Sequence, residues 1–162
     1  MIRQAEAQDA QSIATIYNHY VLNTVVTFEE EAVTATEMSV RIQEVKTADL
    51  IWLVIENEGE VFGYAYASKW KGRCAYRRSV EITVYLAKNA ARQGFGSRLY
   101  GALLSALREK SIHAVIGGIA LPNQASIALH EKFGMQKVAH FSEIGFKFNR
   151  WIDVGYWQVL LK

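Results

Sequence analysis

Cysteine, proline and long apolar runs are almost missing from this chain of 162 residues. Cys74 stands alone, so no internal disulfide can form and a zinc site built on cysteines is excluded. Pro122 is the only proline, and no linker, repeat or low-complexity tract interrupts the chain, which is therefore read as one domain over residues 1–162. No run of about eighteen apolar residues exists, so no segment is expected to span a membrane. Met1-Ile2-Arg3-Gln4 lacks the apolar core of a secretion signal. The formal net charge of +2 is too small to make nucleic acid the main partner. These absences predict a soluble cytoplasmic protein with no metal. What is plentiful is apolar: hydrophobic residues make up 51% of the chain, which excludes disorder and predicts a well-packed interior.

Apolar spacing divides the chain into strands and helices. Ile2 to Ala5 reads as a short strand, and Asp9 to Leu22 as a helix burying Ile13, Ile16, Tyr17, Tyr20 and Val21. Thr34-Ala35-Thr36-Glu37 has the form of a capping box opening a second helix, with Met38, Ile42 and Val45 inward. Leu50 to Glu56 and Val61 to Trp70 read as a hairpin closed at Asn57-Glu58-Gly59-Glu60. A basic loop, Lys71 to Arg78, precedes a strand from Val80 to Leu86. Ala114 to Leu121 is a further strand. Gln124 to Phe133 is a short helix capped by Gly134. Met135 to Phe141 and Tyr156 to Leu161 are expected as two last strands around an aromatic segment from Glu143 to Asp153. About seven strands among about four helices make an α/β or α+β mixed sheet.

The most informative stretch begins at Val80. A run rich in β-branched and aromatic residues is followed by Arg92-Gln93-Gly94-Phe95-Gly96 and then by a helix with Leu99, Leu103 and Leu107 on one face. The first N–H groups of a helix have no internal partner, and its dipole adds partial positive charge there. Gly94 and Gly96 carry no side chain to hold a ligand off, so the amides from Arg92 to Ser97 form a seat for a phosphate or pyrophosphate. No Gly-Lys-Ser/Thr follows Gly96, which excludes a Walker loop. Leu99 stands where a dinucleotide fingerprint needs its third glycine. Taken alone, a glycine pair ahead of a helix also reads as an ordinary tight turn.

The order of these features resembles the GNAT superfamily of acyl-CoA-dependent N-acetyltransferases, and within it the phosphinothricin and methionine-sulfone acetyltransferase group. The resemblance covers nearly the whole chain. It rests on Tyr17-Asn18, on Glu81-Ile82-Thr83-Val84-Tyr85-Leu86, on the Arg92 to Gly96 loop, on Leu121-Pro122-Asn123 through Leu129-His130-Glu131-Lys132-Phe133-Gly134-Met135, and on Gly145 to Asp153. Two positions depart from the wider superfamily: Ala91 replaces a usual Gln or Arg, and His130 stands where a tyrosine is common. The resemblance implies a mostly antiparallel sheet splayed at a central bulge and acetyl-CoA as co-substrate. Its pyrophosphate would lie on Arg92, Gln93, Gly94, Phe95, Gly96 and Ser97, and its pantetheine arm beside Val84, Tyr85, Leu86 and Asn123. It also implies a symmetric homodimer with the aromatic tail, Phe146, Phe148, Trp151 and Trp157, near the partner.

Acetylating an amine requires a base for the ammonium, a polarised carbonyl and a proton for the departing thiolate. Glu81 is the candidate base or amine binder, since a carboxylate among Val80, Ile82 and Val84 is unusual in a strand. A structural ion pair with Arg77 or Arg78 is the other reading. His130 can give or take a proton near neutral pH, or sit on the helix surface. Asn123 can cap the helix after it, bond a pantetheine amide, or do both. Phe28, Lys71, Gly72 and Arg73, with Ile82 and Thr83 beside Glu81, are the candidate substrate contacts. Lys71 and Arg73 would pair with a substrate carboxylate or sulfone, or form a solvated basic loop, and Phe28 would wall the pocket or cap the core. The leading expectation is direct acetyl transfer to the α-amine of a small amino acid analogue such as methionine sulfone, methionine sulfoximine or phosphinothricin. The alternatives are a protein or peptide N-acetyltransferase and a non-catalytic acyl-CoA-binding module.

Overall fold

Alternating side chains in the middle strands build two cores, one on each face of a single sheet. The computed structural model describes residues 1–162. Its elements are β1 (Ile2–Gln4), α1 (Ala10–Asn23), α2 (Ala35–Thr47), β2 (Trp52–Asn57), β3 (Glu60–Lys69), β4 (Ser79–Leu86), α3 (Phe95–Glu109), β5 (Ala114–Ala120), α4 (Gln124–Lys132), β6 (Gln136–Lys147) and β7 (Arg150–Leu160). The seven strands run in the order β1-β2-β3-β4-β5-β7-β6. All neighbours are antiparallel except β4 and β5. This is the mixed sheet that the residue pattern predicts. Val80 and Ile82 of β4 join Leu99, Leu103 and Leu107 of α3 in one core, while Tyr85 joins Tyr17, Val21, Met38 and Ile42 of α1 and α2 in the other.

Local chemistry sets the helix ends. Thr34 Oγ1 accepts from the Glu37 N–H at 3.1 Å and the Glu37 carboxylate accepts from the Thr34 N–H at 2.7 Å, the reciprocal box expected for α2. Gly134, with φ of +80°, follows α4 in the left-handed conformation that ends helices. Helix α3 buries Leu99, Leu103 and Leu107 completely, each worth about 1.5–3 kcal/mol against exposure.

The sheet is split along its middle. Strands β4 and β5 pair only through Ser79–Ala114, Val80–Val115 and Glu81–Ile116, and then separate. On their other sides both strands stay paired, β4 to β3 from Val80–Lys69 to Leu86–Gly63 and β5 to β7 from Ala114–Leu160 to Ala120–Val154. The β3–β4 register runs without a shift, so the splay is present but no bulge lies between β3 and β4. Two intact half-sheets diverge, which requires no inserted residue. The register shifts of this sheet lie at Ile55/Glu56 and along β6.

The C-terminal end differs from the sequence reading. Glu143 to Asp153 is not a segment between strands but the tip of one long hairpin, β6 and β7, with Lys147 facing Arg150 across a two-residue turn. Phe148 and Asn149 form that turn with φ of 52° and 57°, the left-handed pair that matches strand twist. No glycine marks it, which hides it from a turn search. Trp157, expected among the tail's surface aromatics, is buried in the α3-side core. Phe146, Phe148 and Trp151 are exposed as expected. No helix is long and apolar enough to cross a membrane.

Candidate active site

The split strands leave backbone groups without a partner. The Ala87 N–H donates to the Phe62 carbonyl at 2.8 Å, which sets the phase of the β3–β4 ladder. Glu81, Thr83 and Tyr85 therefore turn their N–H and C=O groups toward β3, and Val84 and Leu86 turn theirs toward β5, which has moved away. Val84 faces a cleft of about 190 Å³ that Ile82, Thr83 and Tyr85 line on the same side and Gly118, Ile119 and Ala120 on the other. The Leu86 carbonyl is occupied, accepting from the Tyr20 hydroxyl at 2.6 Å. Tyr85 itself is a core aromatic, edge-on to Tyr17.

The loop from Arg92 to Gly94 leads into the start of α3. Arg92 and Gly94 have φ of 64° and 73°, and this left-handed pair turns the chain into α3. The first bond of the helix runs from the Arg98 N–H to the Gly94 carbonyl at 3.1 Å, so the N–H groups of Phe95, Gly96 and Ser97 precede it. Gly94 is the N-cap and brings no side chain to cover them. The Gln93 side chain turns back to donate to the Asn89 carbonyl at 2.8 Å. Lys132 of α4 donates to Ser97 Oγ at 3.0 Å and sets a cation at the same helix start. Uncovered amides, a helix dipole and a lysine fit a phosphate group. A Cβ on Gly96 would meet Leu129 and Leu86 at an ordinary 3.5 and 3.6 Å, so the conformational need for glycine lies at Gly94.

On the α3 side of the cleft, His130 is buried and fully bonded. Its Nδ1 lies 2.7 Å from the Ser126 carbonyl and its Nε2 lies 2.6 Å from the Tyr100 hydroxyl. A carbonyl only accepts, so Nδ1 carries the proton and Nε2 of the neutral ring accepts from Tyr100. Burial lowers the imidazole pKa and raises that of Tyr100, which favours the neutral form of each. The ring lies over β5 at Gly117, where a Cβ would come within 2.4 Å of Nε2. Asn123 caps α4, its Oδ1 accepting from the Ser126 N–H at 3.1 Å, and it also lines the cleft.

Glu81 stands at the vertex of the split. Its side chain lies on the sheet face opposite His130, next to Gly118, whose Cβ, if present, would be 3.3 Å from Oε1. It forms none of the ion pairs of the protein, so the expected alternative of a bridge to Arg77 or Arg78 is absent. Burial raises its pKa above the ordinary carboxylate range, against an opposing pull from Lys71. Glu81 borders both the cleft and a second chamber of about 520 Å³, which Phe28, Trp70, Lys71, Phe141 and Tyr156 help to line.

The candidate substrate residues are not all brought together. Phe28 and Lys71 reach the chamber, and Ile82 and Thr83 reach the cleft. Gly72 and Arg73 border a separate depression with Cys74 and Tyr76, because the chain turns away from the sheet after Lys71. Sequence reasoning missed Tyr100, Trp70, Tyr156 and Lys147. For Tyr100 there was a signal, a hydroxyl inside the leucine stripe of α3. For Lys147 the signal was a cation between Phe146 and Phe148.

The chain belongs to the GNAT acetyltransferase family, whose domain, described as Acetyltransferase (GNAT) domain, matches residues 2–155. It is 39% identical over 157 residues to phosphinothricin N-acetyltransferase of Streptomyces viridochromogenes, covering 97% of this chain and 85% of that one. It is 32% identical over 160 residues to the L-methionine sulfoximine/L-methionine sulfone acetyltransferase of Salmonella typhimurium, covering 99% and 94%. A phosphinothricin acetyltransferase from Sinorhizobium meliloti, solved in complex with AcCoA, superposes with a TM-score of 0.96 at 34% identity, covering 99% of this chain and 88% of that one.

The His130 arrangement depends on Gly117 being bare. Replacing Gly117 with alanine should push the ring off β5 and break its bond to Tyr100. We expect a loss of about 1–3 kcal/mol in denaturant unfolding, the usual effect of overpacking. The same variant should show a displaced His130 ring resonance by NMR.

Proposed function

We propose that this protein transfers acetyl from acetyl-CoA directly to the α-amino group of a small amino acid analogue of the methionine sulfone, methionine sulfoximine or phosphinothricin type. The observation that carries this reading is Glu81, a desolvated carboxylate where a cleft walled by free backbone groups meets an aromatic chamber. The amides from Arg92 to Ser97 hold the pyrophosphate, with Lys132 beside them. The free groups of Val84 and Leu86, and Asn123, hold the pantetheine amides in the cleft. The amino acid enters the chamber against Phe28 and Trp70, with Lys71 as the partner of its carboxylate.

Glu81 receives the proton of the substrate ammonium, directly or through water. The amine nitrogen then attacks the thioester carbonyl carbon, the C–S bond breaks, and the nitrogen sheds one of its two remaining protons, which the departing thiolate takes up, so that the amide keeps one N–H. A raised carboxylate pKa narrows the gap to an amine and makes the transfer easier. On the opposite wall, Tyr100 and His130 share one proton across 2.6 Å. Through this pair the departing thiolate takes up the proton that the nitrogen sheds, so Tyr100 and His130 end with the protons they began with. A cytoplasmic setting, with neither membrane nor nucleic acid as partner, belongs to the same proposal.

Glu81→Gln preserves shape and removes basicity. Turnover should fall by a factor of about 100 to 10,000, with acetyl-CoA binding almost unchanged. In the wild type, activity should decline as pH falls through the raised Glu81 pKa, because only the carboxylate accepts a proton, and Glu81→Gln should lose that limb. The wild type should turn over at least one of the three amino acid analogues. Acetylation of an N-terminal peptide but of none of them would overturn the substrate assignment.

Gly94→Val places a β-branched residue at a φ of +73° and beside the uncovered amides. Its acetyl-CoA affinity should drop while the fold survives, as read by calorimetry and circular dichroism.

Phe141, Ile144, Phe146, Phe148 and Trp151 leave an apolar, exposed hairpin, which we infer is covered by a second copy in a symmetric homodimer. Light scattering at micromolar concentration should give twice the chain mass of 18.3 kDa. The mass of one chain would refute the dimer.

A further inference from the structure

We propose that Lys147 is a positioning residue that latches the β6–β7 hairpin to the wall of the chamber and so sets the affinity for the amino substrate. The proposal rests on the reading of that chamber as the amine site. Lys147 is 1% exposed, and it is the only buried lysine of the protein. An ammonium is costly to bury, and packing alone would be served by an apolar residue of similar length. None of its hydrogen-bond partners is a carboxylate. Nζ donates to the Val21 carbonyl at 2.7 Å and to the Thr27 carbonyl at 2.8 Å. It also lies 5.1 Å from the centroid of the Phe148 ring.

Each carbonyl has a reason to take the cation. Val21 is in the last turn of α1, where carbonyls lack helical partners and the dipole is negative. Thr27 belongs to the loop after α1, next to Phe28. Glu29 and Glu30 of that loop supply the nearby negative charge, with Glu29 itself held by Arg41. A second contact repeats the grip two residues earlier on the same strand. A Cβ on Gly145 would lie 2.4 Å from the Phe28 ring, so the bare backbone of β6 is the seat of that ring. Val26 and Phe28 of the loop, and Phe141 and Ile144 of the hairpin, all line the chamber. The chamber is therefore the space between loop and hairpin, and Lys147 and Gly145 set its width.

The test compares wild type with Lys147→Met, which keeps length and removes the charge. The loop should loosen without disturbing the phosphate seat or Glu81. The KM for the best amino acid analogue should rise at least about tenfold, with kcat and the KM for acetyl-CoA within about threefold. Hydrogen exchange at residues 24–30 should accelerate. A loss confined to kcat, or unchanged kinetics with unchanged exchange, would overturn the proposal. Should the wild type turn over no amino acid, the substrate reading fails separately, and the exchange measurement still decides the latch. Should Lys147→Met not fold, Gly145→Ala carries the same expected split, since its methyl displaces Phe28. An unaltered amino acid KM in that variant would overturn the proposal.

Discussion

The candidate site of this molecule depends on the place where two parallel strands stop pairing. Strands β4 and β5 share three residue pairs ending at Glu81–Ile116, and each then follows its own half-sheet. The separation does three things at once. It leaves backbone groups of Val84 and Leu86 without a strand partner, it opens a cleft through the sheet, and it leaves Glu81 as the last residue of the pairing. Strand alternation puts Glu81 on the α1 and α2 face, while α4 brings His130 to the other face over Gly117. Glu81 thus borders the cleft on one side and the aromatic chamber on the other.

Such an opening exposes polar groups to a partly dry interior, and the surroundings show how they are stabilised. The Tyr100 hydroxyl, both ring nitrogens of His130 and the Ser126 carbonyl form one closed chain. Asp9, also buried, accepts two bonds from Arg3 at 2.8 Å, and Arg3 in turn reaches Glu56. The exception is Trp52, whose buried Nε1 has no partner although its ring stacks on Tyr66 at 4.2 Å. An unmet donor costs about 1–3 kcal/mol, an amount that burial of the indole offsets. Glu81 differs from these groups because its carboxylate opens onto two cavities and is left available for a ligand.

Much of the fold was legible because its signals are short-range. The periodicity of α1 and α3, the Thr34–Glu37 box, the Glu58-Gly59 turn and the cap at Gly134 each involve residues within one or two helical turns or a single hairpin. The uncovered helix start at Gly94 was legible for the same reason, being a strand, a turn and a helix start in succession. The C-terminal hairpin was not, because Phe148 and Asn149 adopt positive φ with no glycine to announce it. The burial of Trp157 was hidden too, since an isolated aromatic does not disclose which sheet face receives it.

By itself the sequence determined the identity of the elements, the glycine-led helix start at Gly94 and the presence of an unusual carboxylate in a central strand, and the pattern of motifs carried the family. Only the tertiary structure decided that Glu81, Asn123 and His130 border one cleft. It alone showed that His130 Nε2 lies 2.6 Å from the Tyr100 hydroxyl, that Arg73 borders a depression other than the chamber Lys71 reaches, and that Lys147 meets the Val21 and Thr27 carbonyls. The reason lies in range. Periodicity, caps and turns act between neighbours in the chain, whereas Lys147 meets Val21 across 126 positions and Tyr100 meets His130 across 30. Which distant groups meet depends on how whole faces pack, and no local pattern encodes that.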